Sequence, residues 1–221
     1  MKKRNRRTIG IALGLLASFV GWTIAVSCLD IQHIGPNGSS VGFAALNGWF
    51  HQRTGVHMAL YTVTDWLGLV PVGVALGFAI LGLVQWIQRR SIRKVDPSLI
   101  LLGVFYVVVI VAYLLFESVA INDRPVLIDG NLEASYPSST TLLVLCVMLT
   151  AMMQLNRRIS REKARRVVLA ILAVFTVFMV IGRLISGVHW LTDIVGGVLL
   201  GAGLVVLYGA GVRWCTTDSV R

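Results

Sequence analysis

Six long runs of apolar residues divide the chain, at about 8–29, 64–86, 98–116, 137–155, 167–186 and 191–210. Each is close to the ~20 residues that carry a helix across a bilayer core at about 1.5 Å per residue. None alternates polar and apolar positions with period two, so the runs do not read as strands of a membrane barrel. Backbone in hydrocarbon must satisfy its own hydrogen bonds, which leaves helices. The pattern predicts an all-α, polytopic bundle of six transmembrane helices, one domain over 1–221, with the last two spans joined by a very short link. Glycine pairs at four-residue spacing, Gly10/Gly14, Gly73/Gly77 and Gly197/Gly201, predict close helix packing.

Composition agrees. Apolar residues make up 56% of the 221 residues and charged residues 14%, against about 25% charged in an ordinary soluble domain. A soluble globular domain and a disordered chain are both excluded. The net charge of +10 does not mark a nucleic-acid partner, because the basic residues sit in short clusters between spans and not along one soluble face. They mark orientation instead. Seventeen of the twenty Lys and Arg lie at the N-terminus, at 89–94, at 157–166 and in the tail at Arg213 and Arg221. Placing that side in the cytoplasm puts both termini inside. A bacterial plasma membrane is the expected location. The basic start resembles a signal peptide, but its apolar run is long and more spans follow, so it reads as an uncleaved first span. Cys28, Cys146 and Cys215 have no metal-ligand spacing and imply no disulfide framework.

The outer side is chemically richer. It holds Asp30, Asp65, Glu117, Asp123, Asp129, Glu133 and Asp193, and all four histidines. Residues 30–63 form the longest outer segment and read either as an ordinary loop or as one with an interfacial helix near Val41–Phe50. Segments 117–136 and 182–190 are the expected active-site loops. His33, His51 and His57 read as interfacial residues; His189 does not.

His189 and Asp193 are four residues apart at the start of a helix, hence on one face. A carboxylate beside an imidazole fixes its tautomer and stabilises its cation, leaving the second ring nitrogen free to attack an electrophile. Arg183 and Arg124 offer planar forks suited to phosphate oxygens. Pro137 suits a first helical turn that Ser135, Ser138 or Ser139 can cap. The free amides of that turn attract phosphate. Together these residues predict a phosphate-handling site.

Those residues resemble the signature of the type 2 phosphatidic acid phosphatase family of membrane lipid phosphatases. That signature reads Lys-x6-Arg-Pro, Pro-Ser-Gly-His and Ser-Arg-x5-His-x3-Asp. Arg124-Pro125 matches the end of the first part, Pro137-Ser138 the start of the second, and Arg183, His189 and Asp193 the third. The resemblance implies that His189 attacks phosphorus to form a phosphohistidine and that Asp193 orients it. It implies that Arg124, Arg183, Ser138 and the neighbouring Ser139 and Thr140 hold the phosphoryl group. No cofactor or metal is implied. The implied partners are the bilayer and a lipid phosphate or pyrophosphate substrate.

Three positions depart from the signature. Glu117 stands at the Lys position, Ser139-Thr140 at the Gly-His, and Gly182 at the Ser before Arg183. In the family the lost histidine protonates the leaving alkoxide, and threonine is no acid near pH 7. General acid help is worth about 10²–10⁴ in rate and matters most for a poor leaving group. A pyrophosphate, such as an isoprenyl pyrophosphate, is therefore favoured over a monoester. Asp123, Glu133, His51 or His57 is a candidate substitute acid. Two alternatives are a phosphotransferase on the same scaffold and a non-catalytic binder or carrier of phosphorylated lipid. Retained His189 and Asp193 favour the enzyme, whereas Thr140 and Glu117 favour the binder.

Overall fold

A computed structural model describes residues 2–218; Arg221, counted above in the basic tail, lies outside them. Among the described residues there are eight α-helices: α1 (Lys2–Cys28), α2 (Ala44–Thr54), α3 (Met58–Leu67), α4 (Leu69–Arg89), α5 (Pro97–Ser118), α6 (Ser139–Arg158), α7 (Glu162–Ile185) and α8 (Leu191–Asp218). Six spans are long and apolar enough to cross a membrane: Asn5–Cys28, Met58–Arg89, Pro97–Ser118, Ser139–Arg158, Glu162–Ile185 and Leu191–Cys215. This is the all-α membrane bundle that the apolar runs predict, and the chain is an integral membrane protein.

Helix boundaries follow local chemistry. Asp96 caps α5 by accepting the Ser98 amide at 2.9 Å, and Pro97 occupies the first turn, where its missing N–H costs nothing. Ser138 caps α6 by accepting the Thr141 amide. The helix therefore starts at Ser139, and Pro137 lies before the cap and not in the first turn. The second span begins at Met58, six residues before the apolar run. Polar Tyr61 and Thr62 on α3 hide it in the sequence. The segment 30–63 is accordingly a surface helix, α2, followed by the start of a span. Gly182 and Arg183 belong to the last turn of α7, so the connection to α8 is only Ser186–Trp190.

Helix α8 is the central element. Leu200, Leu204, Val205 and Tyr208 on it bury against Leu142 and Cys146 of α6, Leu102 and Phe105 of α5, and Phe19 of α1. The outward faces of α5 and α7, with Val104, Val107, Val111, Val174 and Val177, stay exposed. In hydrocarbon that exposure costs nothing, because lipid tails are as apolar as these side chains. Glycine spacing matters on α8 alone. A Cβ at Gly197 would lie 3.0 Å from the Ser138 carbonyl oxygen, and one at Gly196 would lie 2.7 Å from the Tyr136 ring. The Gly10/Gly14 and Gly73/Gly77 pairs face open space, so they do not make the close helix contacts their spacing suggests.

Chain direction sorts the polar residues by end. The ends of α5 and α7 meet the starts of α6 and α8 at one end, where Arg124, Arg183, His189 and Asp193 gather. The basic clusters at 89–94 and 157–166 sit at the other. There Arg158 pairs with Asp96 at 2.6 Å and bonds Gln154, which in turn donates to the Ser98 carbonyl.

Candidate active site

Three pieces of chain build the site. The first is the turn from α7 to α8. Ser186 closes α7 through its amide to the Gly182 carbonyl, and its hydroxyl donates to the Arg183 carbonyl. Gly187 has φ +70°, and a Cβ there would sit 2.0 Å from the Gly55 carbonyl oxygen. Only glycine fits a left-handed position in such a close approach. The turn is seated on residues 55–57, with the His57 amide donating to the Ser186 carbonyl at 2.9 Å. His189 therefore lies in the connection, two residues before the helix that carries Asp193. Asp193 is the third residue of α8 and reaches back to accept the Trp190 amide at 2.9 Å, the carboxylate half of a capping box.

The second piece is the excursion between α5 and α6. Its two arms pair antiparallel: the Arg124 amide donates to the Glu133 carbonyl at 2.9 Å, and the Ser135 amide to the Asn122 carbonyl at 2.8 Å. Side chains alternate across such a pairing. Asn122, Arg124 and Ser135 are buried, while Asp123 is half-buried and uses its carbonyl to accept the Trp190 indole at 2.7 Å. Asn122 ties the excursion to the rest: its amide group donates to Asp193 Oδ1 at 3.4 Å, and its oxygen accepts the Gly42 amide. The third piece is α3, which brings Tyr61 beneath both arginines and Asp65 to Arg183.

His189 is fully enclosed. Its Nδ1 lies 3.0 Å from the Ser135 hydroxyl, and that hydroxyl donates to Asp193 Oδ2. Asp193 Oδ2 itself is 3.9 Å from Nδ1, too long for a hydrogen bond. The expected direct Asp–His contact is thus replaced by a hydroxyl bridge. The reason is that His189 precedes α8 and Asp193 is turned back on the Trp190 amide. His189 Nε2 is buried and has no protein partner. Burial, and then the nearby Arg124 and Arg183 cations, hold the imidazole well below its usual titration range, so it is neutral near pH 7.

The two guanidiniums share one aromatic floor. Arg183 Cζ lies 4.9 Å from the Tyr61 ring centroid and Arg124 Cζ 5.9 Å from it. Arg183 Nη1 is 3.4 Å from Asp65, and Arg124 Nε is 3.1 Å from Glu133. Arg183 Nε and Arg124 Nη1 remain buried without hydrogen-bond partners. Buried donors of a cation left unmatched are expensive. Two such groups beside a neutral imidazole nitrogen make a site that is completed by an anion with several oxygens.

The other expected residues divide. Ser138 is buried and its hydroxyl serves the α6 cap. Ser139 and Thr140 are partly exposed in the first turn of α6. Glu133 is the ion-pair partner of Arg124. Glu117 is exposed at the end of α5. His33 Nδ1 is 3.0 Å from the Gly38 carbonyl and His57 Nε2 is 2.9 Å from the Thr54 carbonyl, while His51 leans on Trp190 at 5.4 Å between rings. A Cβ at Gly182 would lie 2.8 Å from Thr64 Cγ2, which gives the missing serine a packing reason. Sequence reasoning gave no role to Tyr61, Asp65 or Asn122 and saw Ser135 only as a cap. Their signal is long-range and leaves no spacing to read.

The six-span bundle thus sets a buried imidazole beside two guanidiniums at one of its ends. Residues 115–216, a little under half of the chain, match the family model described as PAP2 superfamily. The matched segment contains Arg124, Ser135, Ser138, Arg183, His189 and Asp193. No curated protein matches the chain. Among solved structures, the first transmembrane PAP2 type phosphatidylglycerolphosphate phosphatase from Bacillus subtilis is similar over 90% of this chain and 94% of its own, at 21% identity and a TM-score of 0.47.

Proposed function

We propose that the protein is a membrane phosphatase that hydrolyses a lipid phosphate or pyrophosphate through a phosphohistidine. The observation that carries this reading is the unpartnered, buried Nε2 of a neutral His189 beside the unmatched donors of Arg124 and Arg183. The guanidiniums take the equatorial oxygens, where charge accumulates as phosphorus is attacked. Nε2 donates its lone pair to phosphorus, the bond to the leaving oxygen breaks, and that oxygen departs with its electron pair. Water then attacks the phosphohistidine, and phosphate leaves as the P–N bond breaks. The first-turn amides of α6, with Ser139 and Thr140, help hold the phosphoryl group.

With Thr140 at the position of the family's acid, the favoured substrate is an isoprenyl pyrophosphate, whose phosphate leaving group needs little protonation. Asp123 and Glu133 are the substitute acids for a poorer leaving group. Glu133 is tied to Arg124 and would have to exchange that contact to act. The basic clusters at the opposite end orient the site toward the outer face, in a bacterial plasma membrane. The test is phosphate release by purified protein in detergent, offering a long-chain isoprenyl pyrophosphate and phosphatidic acid in parallel. Release that vanishes in His189→Ala supports the phosphatase. Binding of both lipids with release from neither supports the non-catalytic binder that Thr140 and Glu117 favour.

A further inference from the structure

We propose that Ser135 is the positioning residue of the nucleophile: its hydroxyl, bridging Asp193 to His189, holds the hydrogen of the ring on Nδ1 and leaves Nε2 bare. The proposal rests on His189 being the nucleophile of the reading above. The geometry leaves the carboxylate no direct route, because Oδ2 stands 3.9 Å from Nδ1. The Ser135 oxygen is 3.0 Å from Nδ1 and hydrogen-bonded to Oδ2.

A hydroxyl has one hydrogen to give and lone pairs to accept with, whereas an ionised carboxylate only accepts. Ser135 therefore gives its hydrogen to Asp193 and can only accept at its other side. With Asp193 ionised, the arrangement that satisfies the chain is Nδ1–H donating to Ser135 Oγ. The neutral ring then carries its lone pair on Nε2, the atom with no protein partner.

The bridge is held from both ends. Asp193 Oδ2 also accepts the Trp190 amide, and Oδ1 faces the Asn122 side chain at 3.4 Å. Ser135 is 3% exposed, and its amide is bonded to the carbonyl of that same Asn122. Asn122 thus fixes donor and acceptor of the bridge together. The arm that delivers Arg124 to the phosphate site delivers the hydroxyl that selects the tautomer, so phosphate binding and nucleophile orientation share one support.

The deciding measurement is the tautomer of His189 by nitrogen NMR of histidine-labelled full-length protein in detergent micelles, with the His189 signals assigned by their loss in His189→Gln. The expected result is an Nδ1–H tautomer in the wild type and in Ser135→Thr, and a mixed or Nε2–H ring in Ser135→Ala. Turnover gives an independent readout. Ser135→Ala should lower kcat about 10- to 100-fold, the range for outer partners that orient a histidine, with KM within about 3-fold, and Ser135→Thr should recover most of kcat. An Nε2–H wild type, or an unchanged tautomer in Ser135→Ala, overturns the proposal. If Ser135→Ala fails to fold, the wild-type spectrum still decides. An Nδ1–H ring in a protein that releases phosphate from no lipid would overturn the phosphatase reading and leave the bridge standing.

Discussion

Arg183 stacks over Tyr61, with its guanidinium carbon 4.9 Å from the ring centroid and only 1% of its side chain exposed. The same ring also lies under Arg124. Tyr61 therefore does what no acidic partner at the site does: it faces both cations without consuming the donors that a phosphate needs. A cation over an aromatic face is worth about 0.5–2 kcal/mol, most when desolvated. Tyr61→Ala should weaken binding of a phosphate analogue such as vanadate by about 2- to 30-fold, while Tyr61→Phe should stay near wild type. Inhibition constants measured on all three proteins check this. Equal loss in Phe and Ala would assign the effect to the hydroxyl instead of the ring.

The sign of the His189 shift makes a prediction about pH. Its folded value is depressed by burial and by Arg124 and Arg183, against about 6.5 in an unfolded chain. Between the two values the unfolded state binds a proton that the folded state does not. Stability is thus fully present above about pH 6.5 and falls as pH drops toward the folded value, by up to about 1.4 kcal/mol per pH unit. His189→Gln should flatten that decline between pH 7 and pH 5. Thermal denaturation of both proteins in the same detergent across that range checks it, and parallel slopes would exclude His189 as the source.

The spans were legible because hydrocarbon imposes one rule on every residue of a crossing helix, so five of the six apolar runs nearly coincide with helices. The exception is α3. Tyr61 looks like a loop residue in the sequence, yet its ring turns to Arg124 and Arg183; Asp65, which the apolar run already includes, pairs with Arg183. The site was legible where spacing carries it, at Arg183, His189 and Asp193. It was illegible where contact joins distant segments. Nothing local in Ser135 announces that it stands between His189 and Asp193, because the arm pairing of 122–124 with 133–135 creates that neighbourhood. The direct Asp–His contact read from i,i+4 spacing assumed a helix already formed at His189, whereas α8 starts two residues later.

The threonine at the acid position gives a gain-of-function test. Thr140 sits partly exposed in the first turn of α6, where an imidazole can be added without filling buried space. Thr140→His should raise turnover of a lipid phosphate monoester by about 10²-fold or more, and that of an isoprenyl pyrophosphate much less, since only the first has a leaving group that needs the proton. Parallel rate measurements on both substrates decide. Equal gains on both would remove the leaving-group basis for favouring pyrophosphate.

Gly182 offers a test of why this chain departs from the serine of the family signature. A Cβ at Gly182 meets the Thr64 methyl at 2.8 Å, closer than real side-chain contacts allow. The Thr64 hydroxyl, by contrast, turns away to its own helix, donating to the Leu60 carbonyl. Restoring the family residue by Gly182→Ser should therefore force α3 away from α7 and cost about 1–3 kcal/mol, as overpacking does. Thr64→Ser keeps the hydroxyl and deletes only the methyl. Combined with Gly182→Ser it should recover most of the loss, a coupling of about 1 kcal/mol or more between the two sites. The four proteins of this cycle can be compared by thermal denaturation in one detergent. Additive effects would mean that Thr64 does not set the identity of residue 182. Because Tyr61 and Arg183 lie one residue or one turn from this contact, Gly182→Ser alone should also weaken vanadate binding, and the double variant should restore it.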